Sequence, residues 1–443
     1  MMEYTQTELF FDKIGSKKVV MDFTGGTVSS DAGLLWVRQL ARGMRIFERC
    51  CAAIRERRRE ASVEQEMITE LRQRVFQIIA GYFHAIDCDR FRDDPALKAV
   101  CERFPIQGEA LGSQPTMTRL ENSVSRTDLY RLALALGDVF VASYDRIPRS
   151  IVIDVDDTCD PTHGAQQLTL FNAHDGTYCY RPVLIYEGNS GKLITAILRP
   201  GKRPSGAEVR AILKRVLARI RHAWPRVKIL VRGDSHFCGE PVMQLCESMH
   251  AVEYVLAVAK NSVLERLCEE GFRLKRGYNA EANYRHYEAF DYAARSWSRK
   301  RRVIARVEVK GEREDVRYIV TNHVGDTAWD LYENTYCKRG QAENWIKDHK
   351  NALRSDLTSC HRFVANHFRL LVHSMAYTLL HEFRLRALKR TQLAHAQMDT
   401  IRWALLKIGA RVVEKTKTIR LHLPEALAQS PLLRIAHENL HGP

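Results

Sequence analysis

The stretch "PRSIVIDVDDTCDPTHG", residues 148–164, constrains the fold more than any other. Ile151, Val152 and Ile153 are β-branched and run into a turn-rich loop, which predicts a strand that opens a sheet. The chain before it has a different period. "EMITELRQRVFQIIAGYFHAI", "RFRDDPALKAVCERF" and "TDLYRLALALGDVFVASY" carry helical apolar spacing, so residues 1–148 are expected to form a helical N-terminal domain after a short extended start, "KVVMDFTGG". After the first strand come two more, "YCYRPVLIYEG" and "KLITAILRPG", joined by the tight turn "GNSG". A helix follows, "SGAEVRAILKRVLARIRHAW", with Val209, Ile212, Leu213, Val216 and Ile220 on one face. Strand "VKILVRGDS", helix "EPVMQLCESMH" and strand "EYVLAVAKN" complete the run. This order predicts an α/β fold, a mixed sheet flanked by helices.

Residues 262–322 hold alternating stretches such as "RRVIARVEVKG" and "VRYIVTNH", expected to be a β-rich, antiparallel insertion that leaves the main sheet. From about 358 the chain is expected to be helical again, through "RFVANHFRLLVHSMAYTLLHEFRLRALKR" and "TIRWALLKIGARVV". The expected organisation is a helical N-terminal DNA-binding domain (1–148), which with part of the C-terminal helices is expected to recognise DNA ends, a core (149–261 and 323–385), the insertion (262–322) and a helical C-terminal region (386–443).

Carboxylates gather at the strand ends. Asp154 and Asp156 alternate with Val155 and project from one side of the first strand, while Asp157 and Asp160 in the turn after it are expected to cap loops. Like charges this close raise one another's pKa, and a hard divalent cation such as magnesium or manganese relieves them. Asp234 ends the fourth strand, and side chains at strand ends share a crevice in such sheets. If the first and fourth strands are neighbours, Asp156 and Asp234 converge. The later helix "YENTYCKRGQAENWIKDHK" places Tyr336, Arg339, Glu343 and Lys350 along one stripe, so that Glu343 becomes a third oxygen donor. The alternative is a solvated face on which Glu343 pairs with Lys347. Three carboxylates on three elements suit two-metal phosphoryl transfer, with Arg339 and Lys350 placed to hold phosphates.

Charge supports a nucleic-acid partner. Lysine plus arginine number 68 against 53 acidic residues, a formal charge of +15 that favours a polyanion over a membrane surface. The basic run "RERRRE" (55–60) suits either phosphate tracking or a solvated helix face. No apolar run approaches the roughly 20 residues of a membrane span and the N-terminus has no signal-peptide core, so a cytoplasmic, nucleoid-associated protein is expected. The eleven cysteines include no Cys-x-x-Cys pair, which indicates neither a disulfide framework nor a thiolate zinc site. Cys159 with His163, His236 with Cys238, and Cys360 with His361 are taken as buried thiols beside unrelated histidines.

With these residues in view, the sequence resembles the DDE transposases of bacterial insertion sequences. Tyr336, Arg339, Glu343 and Lys350 match, without a gap, the Tyr-Arg-Glu-Lys third motif of one branch. "DVDDTCDPTHG", "YCYRPVLIYEG", "LRPGKRPSG", "RGDSHF", "GSQPTMTRLEN" and "IRWALLKIGARV" look like the insertion sequence thirteen-eighty family, over about residue 10 to beyond 410. The resemblance implies a ribonuclease-H-like core, catalytic and metal-binding carboxylates at Asp156, Asp234 and Glu343, dependence on two magnesium ions that manganese can replace, and a β-rich insertion between the second and third carboxylates. Asp156-Asp157-Thr158 fits the Asp-x-Thr pattern common in this superfamily and favours Asp156 as the first ligand, with Asp154 as the alternative. Related enzymes that cut through a DNA hairpin hold a flipped base on aromatic residues; Trp297, beside Arg299, Lys300, Arg301 and Arg302 in "SWSRKRR", is the candidate here, an exposed hairpin tip the alternative.

The expected activity is therefore cut-and-paste transposition: cleavage at terminal inverted repeats and joining of the freed 3′ ends to target DNA, by a homodimer assembled on paired ends. A ribonuclease-H-like nuclease without strand transfer is a second reading. A domesticated, non-catalytic DNA-binding protein is a third, disfavoured by the unbroken acidic set.

Overall fold

The computed structural model describes residues 8–58, 63, 65–273, 284–310 and 313–441. Residues 59–60 of the basic run, and 274–283 and 311–312 of the expected insertion, lie outside the described residues. The chain forms two compact units that are not sequential blocks. One takes Met44–Arg55 and Glu121–His381, the other Met1–Gly43, Glu56–Leu120 and Glu382–Pro443.

The first of these is built on a mixed sheet. Before the sheet comes helix α1 (Arg126–Ala142), started by a capping box in which the Ser125 hydroxyl accepts from the Asp128 N–H and the Asp128 carboxylate from the Ser125 N–H. Eight strands follow: β1 (Ser150–Asp157), β2 (Val183–Glu187), β3 (Leu193–Ile197), β4 (Lys228–Gly233), β5 (Val252–Val258), β6 (Tyr284–Tyr292), β7 (Arg301–Lys310) and β8 (Arg313–Thr321). Their spatial order is β6-β7-β8-β5-β4-β1-β2-β3. β1, β4 and β5 run parallel, and every other pair is antiparallel.

The alternation along β1 explains its place at the centre. Ile151, Ile153 and Val155 are buried in one core with Val209, Leu213 and Val216 of helix α2 (Gly206–Ala223) and Val242 and Met243 of helix α3 (Glu240–Glu247). Each such side chain contributes about 1.5–3 kcal/mol by leaving water, so a one-residue slip of β1 is strongly disfavoured. That register puts Asp154 and Asp156 on the opposite face.

Three local differences from expectation have clear causes. "YCYRPVLIYEG" is not one strand: it breaks at Arg181-Pro182, where proline has no N–H for the ladder, and Thr177–Tyr180 joins a small sheet with Asp160–Pro161 and Leu170–Asn172. The antiparallel strands of 262–322 do not leave the main sheet; β8 pairs with β5, Val255 opposite Thr321, and extends it. In the other unit, where helix Met67–Ala80 is buried along nearly its whole length, the C-terminal region is not all helical. "TIRWALLKIGARVV" is helical only through Leu406; Ala410–Lys415 and Thr418–His422 are strands, the first also pairing with Val28–Ser29. Beyond Gly409 the β-branched Val412 and Val413 alternate in burial, which suits a pleated strand. Among the described residues no helix is long and apolar enough to cross a membrane.

Candidate active site

β1 and β4 are neighbours, with Val155 opposite Gly233. Asp156 and Asp234 each follow these residues, so they stand side by side where two parallel strands end.

Asp154 and Asp156 share a face and have different surroundings. Asp154 is fully buried, cross-strand from Arg232, and its two oxygens accept from Arg232 Nε and Nη2, both at 2.7 Å. Arg232 Nη1 also donates to the Thr335 carbonyl at 2.7 Å, tying the sheet to the segment that leads into Arg339. A Cβ at Gly188 would lie 2.5 Å from Arg232 Nη2 and 2.6 Å from Asp154 Oδ2, so only glycine leaves room for this pair. Asp156 instead faces the strand ends. Its Oδ1 accepts from the Asp157 N–H at 3.0 Å and its Oδ2 from Arg339 Nη1 at 2.7 Å. Burial pushes its pKa up to about 6, Arg339 working against the rise and the neighbouring Asp234 and Asp157 adding to it.

The segment that faces these strand ends is an irregular helix. A π-helical turn (Asp330–Tyr336) gives way to a 3₁₀ turn (Cys337–Gly340), then to helix α4 (Gln341–Lys347) and a second π-helical turn (Asp348–Ala352). Such departures from α geometry re-aim side chains and free carbonyls, here that of Thr335. Trp345 of α4 packs on Tyr186 of β2, which fixes α4 to the sheet. Arg339 is thereby placed among the acidic groups: besides bonding Asp156 it lies 3.8 Å from Glu343, with Tyr336 and Asp234 close enough to strengthen its charge. Glu343 itself is largely in solvent, its side chain 60% exposed.

The other expected residues have different partners. Lys350 reaches back to the turn after β1, donating to the Cys159 carbonyl and to Thr158 Oγ1 at 3.2 Å and lying 3.4 Å from the buried carboxylate of Asp160. Burial raises the Asp160 pKa to about 7 despite that ammonium. Trp297, Arg299 and Arg301 do not join the site. Their turn precedes β7, and β7 runs parallel to β5 through β8, so the turn lies at the opposite end of the sheet from the strand ends that carry Asp156 and Asp234. Trp297 packs against the core and edge-on to Tyr292; Arg301 is buried between Glu240 and Glu247, at 2.7 Å from each, and Arg299 pairs with Glu247 at 2.9 Å. Trp297 remains partly exposed, with the Arg301 guanidinium 5.6 Å from its ring.

Three further residues complete the setting. Arg232 holds Asp154. Arg181 binds Asp157 through Nε and Nη2, at 3.2 and 2.8 Å. His236, whose N–H bonds the Asp234 carboxylate at 2.8 Å, has Nδ1 3.5 Å from Asp157, and that carboxylate raises its pKa. In the sequence His236 stands out only beside Cys238, and neither arginine's partner is marked: Asp157 lies 24 residues from Arg181 and Asp154 78 from Arg232.

Asp156, Asp234 and Glu343 do not lie within 4.8 Å of one another, and the Arg339 guanidinium bridges the first and third. An all-carboxylate donor set, one member held above its ordinary pKa by burial, and a single cationic side chain supplying the counter-charge suit a hard divalent ion. The residues fit magnesium or manganese, provided Arg339 gives up Asp156 Oδ2.

A family model described as "Transposase DDE domain group 1" matches residues 11–442 and places the protein among transposases. The chain belongs to that DDE transposase family, whose members act on DNA phosphodiesters with divalent metal ions. Among solved structures, the cryo-EM synaptic complex of piggyBac transposase with hairpin DNA matches with a TM-score of 0.46 and 10% identity, over 85% of this chain and 80% of that one. No curated protein matches the sequence.

Proposed function

We propose that this transposase cleaves DNA at the inverted-repeat ends of an insertion sequence and joins the freed 3′ ends to target DNA, with Asp156, Asp234 and Glu343 as metal ligands, and that it belongs to the thirteen-eighty branch of bacterial elements. The observation that carries this reading is the side-by-side placement of Asp156 and Asp234 at the ends of adjacent parallel strands, with Glu343 delivered from a helix across them. The run β3-β2-β1-β4-β5, with only β2 antiparallel to its two neighbours, supports a ribonuclease-H-like core extended by β6–β8.

Two bound magnesium ions would supply an activated attacking oxygen and stabilise the leaving one. The chain's own residues prepare that chemistry. Asp154, saturated by Arg232, works as a positioning residue: through the Thr335 carbonyl it sets the segment that presents Arg339. This supports Asp156 over Asp154 as first-strand ligand. Arg339 neutralises the carboxylates before the metal arrives, and once displaced its planar fork is free to grip a phosphate of the scissile strand, with Tyr336 beside it. Lys350 positions the Thr158–Asp160 turn beneath the site instead of holding DNA. Electrostatic attraction for DNA comes from the +15 formal charge, and two chains on paired ends complete the working assembly.

The deciding experiment incubates the purified protein and Mg2+ with a linear duplex ending in the element's terminal repeat, plus a supercoiled target. Cleavage at the repeat boundary and joined products, both lost in Asp234→Asn, are expected. Cleavage without joining would make it a nuclease; binding without cleavage would make it a DNA-binding regulator.

A further inference from the structure

Among the described residues, one group of thiols and carboxylate converges to metal-ligand spacing, and it lies outside the site above. Cys159, Cys179 and Asp175 have their ligand atoms, two sulfurs and a carboxylate oxygen, all within 4.8 Å of one another. Twenty residues separate the two cysteines in sequence, and the small sheet beside β1 brings them together. In that sheet Pro161 pairs with Cys179 and Asp160 with Tyr180, which sets Cys159 opposite Arg181 and on the same face as Cys179. Asp175 sits in the turn between Leu170–Asn172 and Thr177–Tyr180, its N–H bonded to the Asn172 side chain at 3.3 Å and its carboxylate to Arg181. Cys179 lies in the paired ladder, Cys159 directly precedes it and Asp175 comes from the adjoining turn.

Two thiolates of a tetrahedral zinc site, each about 2.3 Å from the metal, stand about 3.8 Å apart. The observed spacing thus needs a closure of no more than about one ångström to meet that geometry. Two soft sulfur donors select zinc, whereas magnesium and manganese prefer the all-oxygen set of Asp156, Asp234 and Glu343. We infer that Cys159, Cys179 and Asp175 bind one zinc ion, with water in the fourth position and the two thiol protons released to solvent on binding. The ion would clip the small sheet to the chain leaving β1. Arg181 transmits the effect, because it bonds Asp175 and also Asp157, the residue next to Asp156. Zinc binding here does not depend on the catalytic roles proposed above.

The test uses the full-length protein, purified in reducing buffer without an affinity-metal column. Zinc is measured by atomic emission, and the chelated protein is titrated with Co2+, whose thiolate complexes absorb strongly in the near ultraviolet. About one zinc per chain and a thiolate–cobalt band are expected, both lost in Cys159→Ser and Cys179→Ser and kept in Cys51→Ser. Because Cys179 is buried, so that a serine there risks misfolding, Asp175→Asn, in an exposed turn, is the second probe. It should keep the chelated protein's melting temperature while weakening Co2+ affinity at least tenfold. The inference is overturned by absence of zinc and of the cobalt band, by a band that survives either cysteine change, by unaltered affinity in Asp175→Asn, or by a Cys159–Cys179 disulfide in the reduced preparation, seen as a mass two daltons low.

Discussion

Asp154 and Asp156 are two residues apart on one face of one strand, and conservative changes at them should have opposite consequences. Asp154→Asn leaves Arg232 buried, 2% exposed, without a charged partner. Breaking one side of a buried ion pair costs about 3–5 kcal/mol, a large share of the roughly 5–15 kcal/mol that holds a domain folded. At about 2–4 °C per kcal/mol for a unit of this size, the melting temperature should fall by on the order of 10 °C. Asp156→Asn removes a carboxylate whose folded pKa, about 6 against 3.8, makes its ionised form unfavourable at neutral pH by about 3 kcal/mol. The Arg339 attraction is already contained in that net shift, so stability should rise by up to about 3 kcal/mol. Thermal and urea unfolding at pH 7.5, measured beside strand cleavage, give both axes. The reasoning predicts an inactive, stable Asp156→Asn protein and a destabilised Asp154→Asn protein whose folded fraction still cleaves. A destabilised, active Asp156→Asn protein would refute it.

The same groups give further tests. Because Asp156 is protonated below about pH 6, Mg2+ affinity measured by calorimetry should fall as pH drops through that value, and a flat profile from pH 8 to 5 would argue against Asp156 as a ligand. Arg339→Ala should bind Mg2+ more tightly than the parent while cleaving poorly, since no guanidinium competes for Asp156 Oδ2; unchanged affinity would contradict its stand-in role. Lys350→Ala should lower stability by about 1–3 kcal/mol, more at pH 8 than at pH 5. The folded-state pKa of Asp160 is raised, so its stabilising contribution is complete at acid pH and lost as pH rises through about 7, where the ionised carboxylate needs the ammonium. An equal loss at both pH values would sever that pair. A fragment of residues 1–148 should fail to fold and to select inverted-repeat DNA, because Val28–Ser29 pairs with Ala410–Arg411 near the other end of the chain; a cooperative melt of the fragment would disprove this.

The sequence by itself determined what local periodicity and residue chemistry can carry. β-branched alternation marked β1, the apolar stripe of α2 marked the face that packs on it, and the spacing of Tyr336, Arg339, Glu343 and Lys350 marked the helix across the strand ends. Those signals repeat every two or 3.6 residues, within reach of a short window. Tertiary structure alone decided what depends on strand order and pairing. Whether Asp156 meets Asp234 rests on β1 and β4 being neighbours, which no local pattern states. The different surroundings of Asp154 and Asp156 likewise come from a cross-strand arginine 78 residues away, so two aspartates equal in pattern differ in partner. Not all of the basic look of "SWSRKRR" is free charge, for the same reason: Arg301 meets Glu240 and Glu247 from a helix more than fifty residues earlier. Cys159 and Cys179 show the converse, two residues with no motif between them that a hairpin-like ladder sets on one face. Ion pairs and ligand sets form between elements distant in sequence, and their geometry exists only once the sheet has closed.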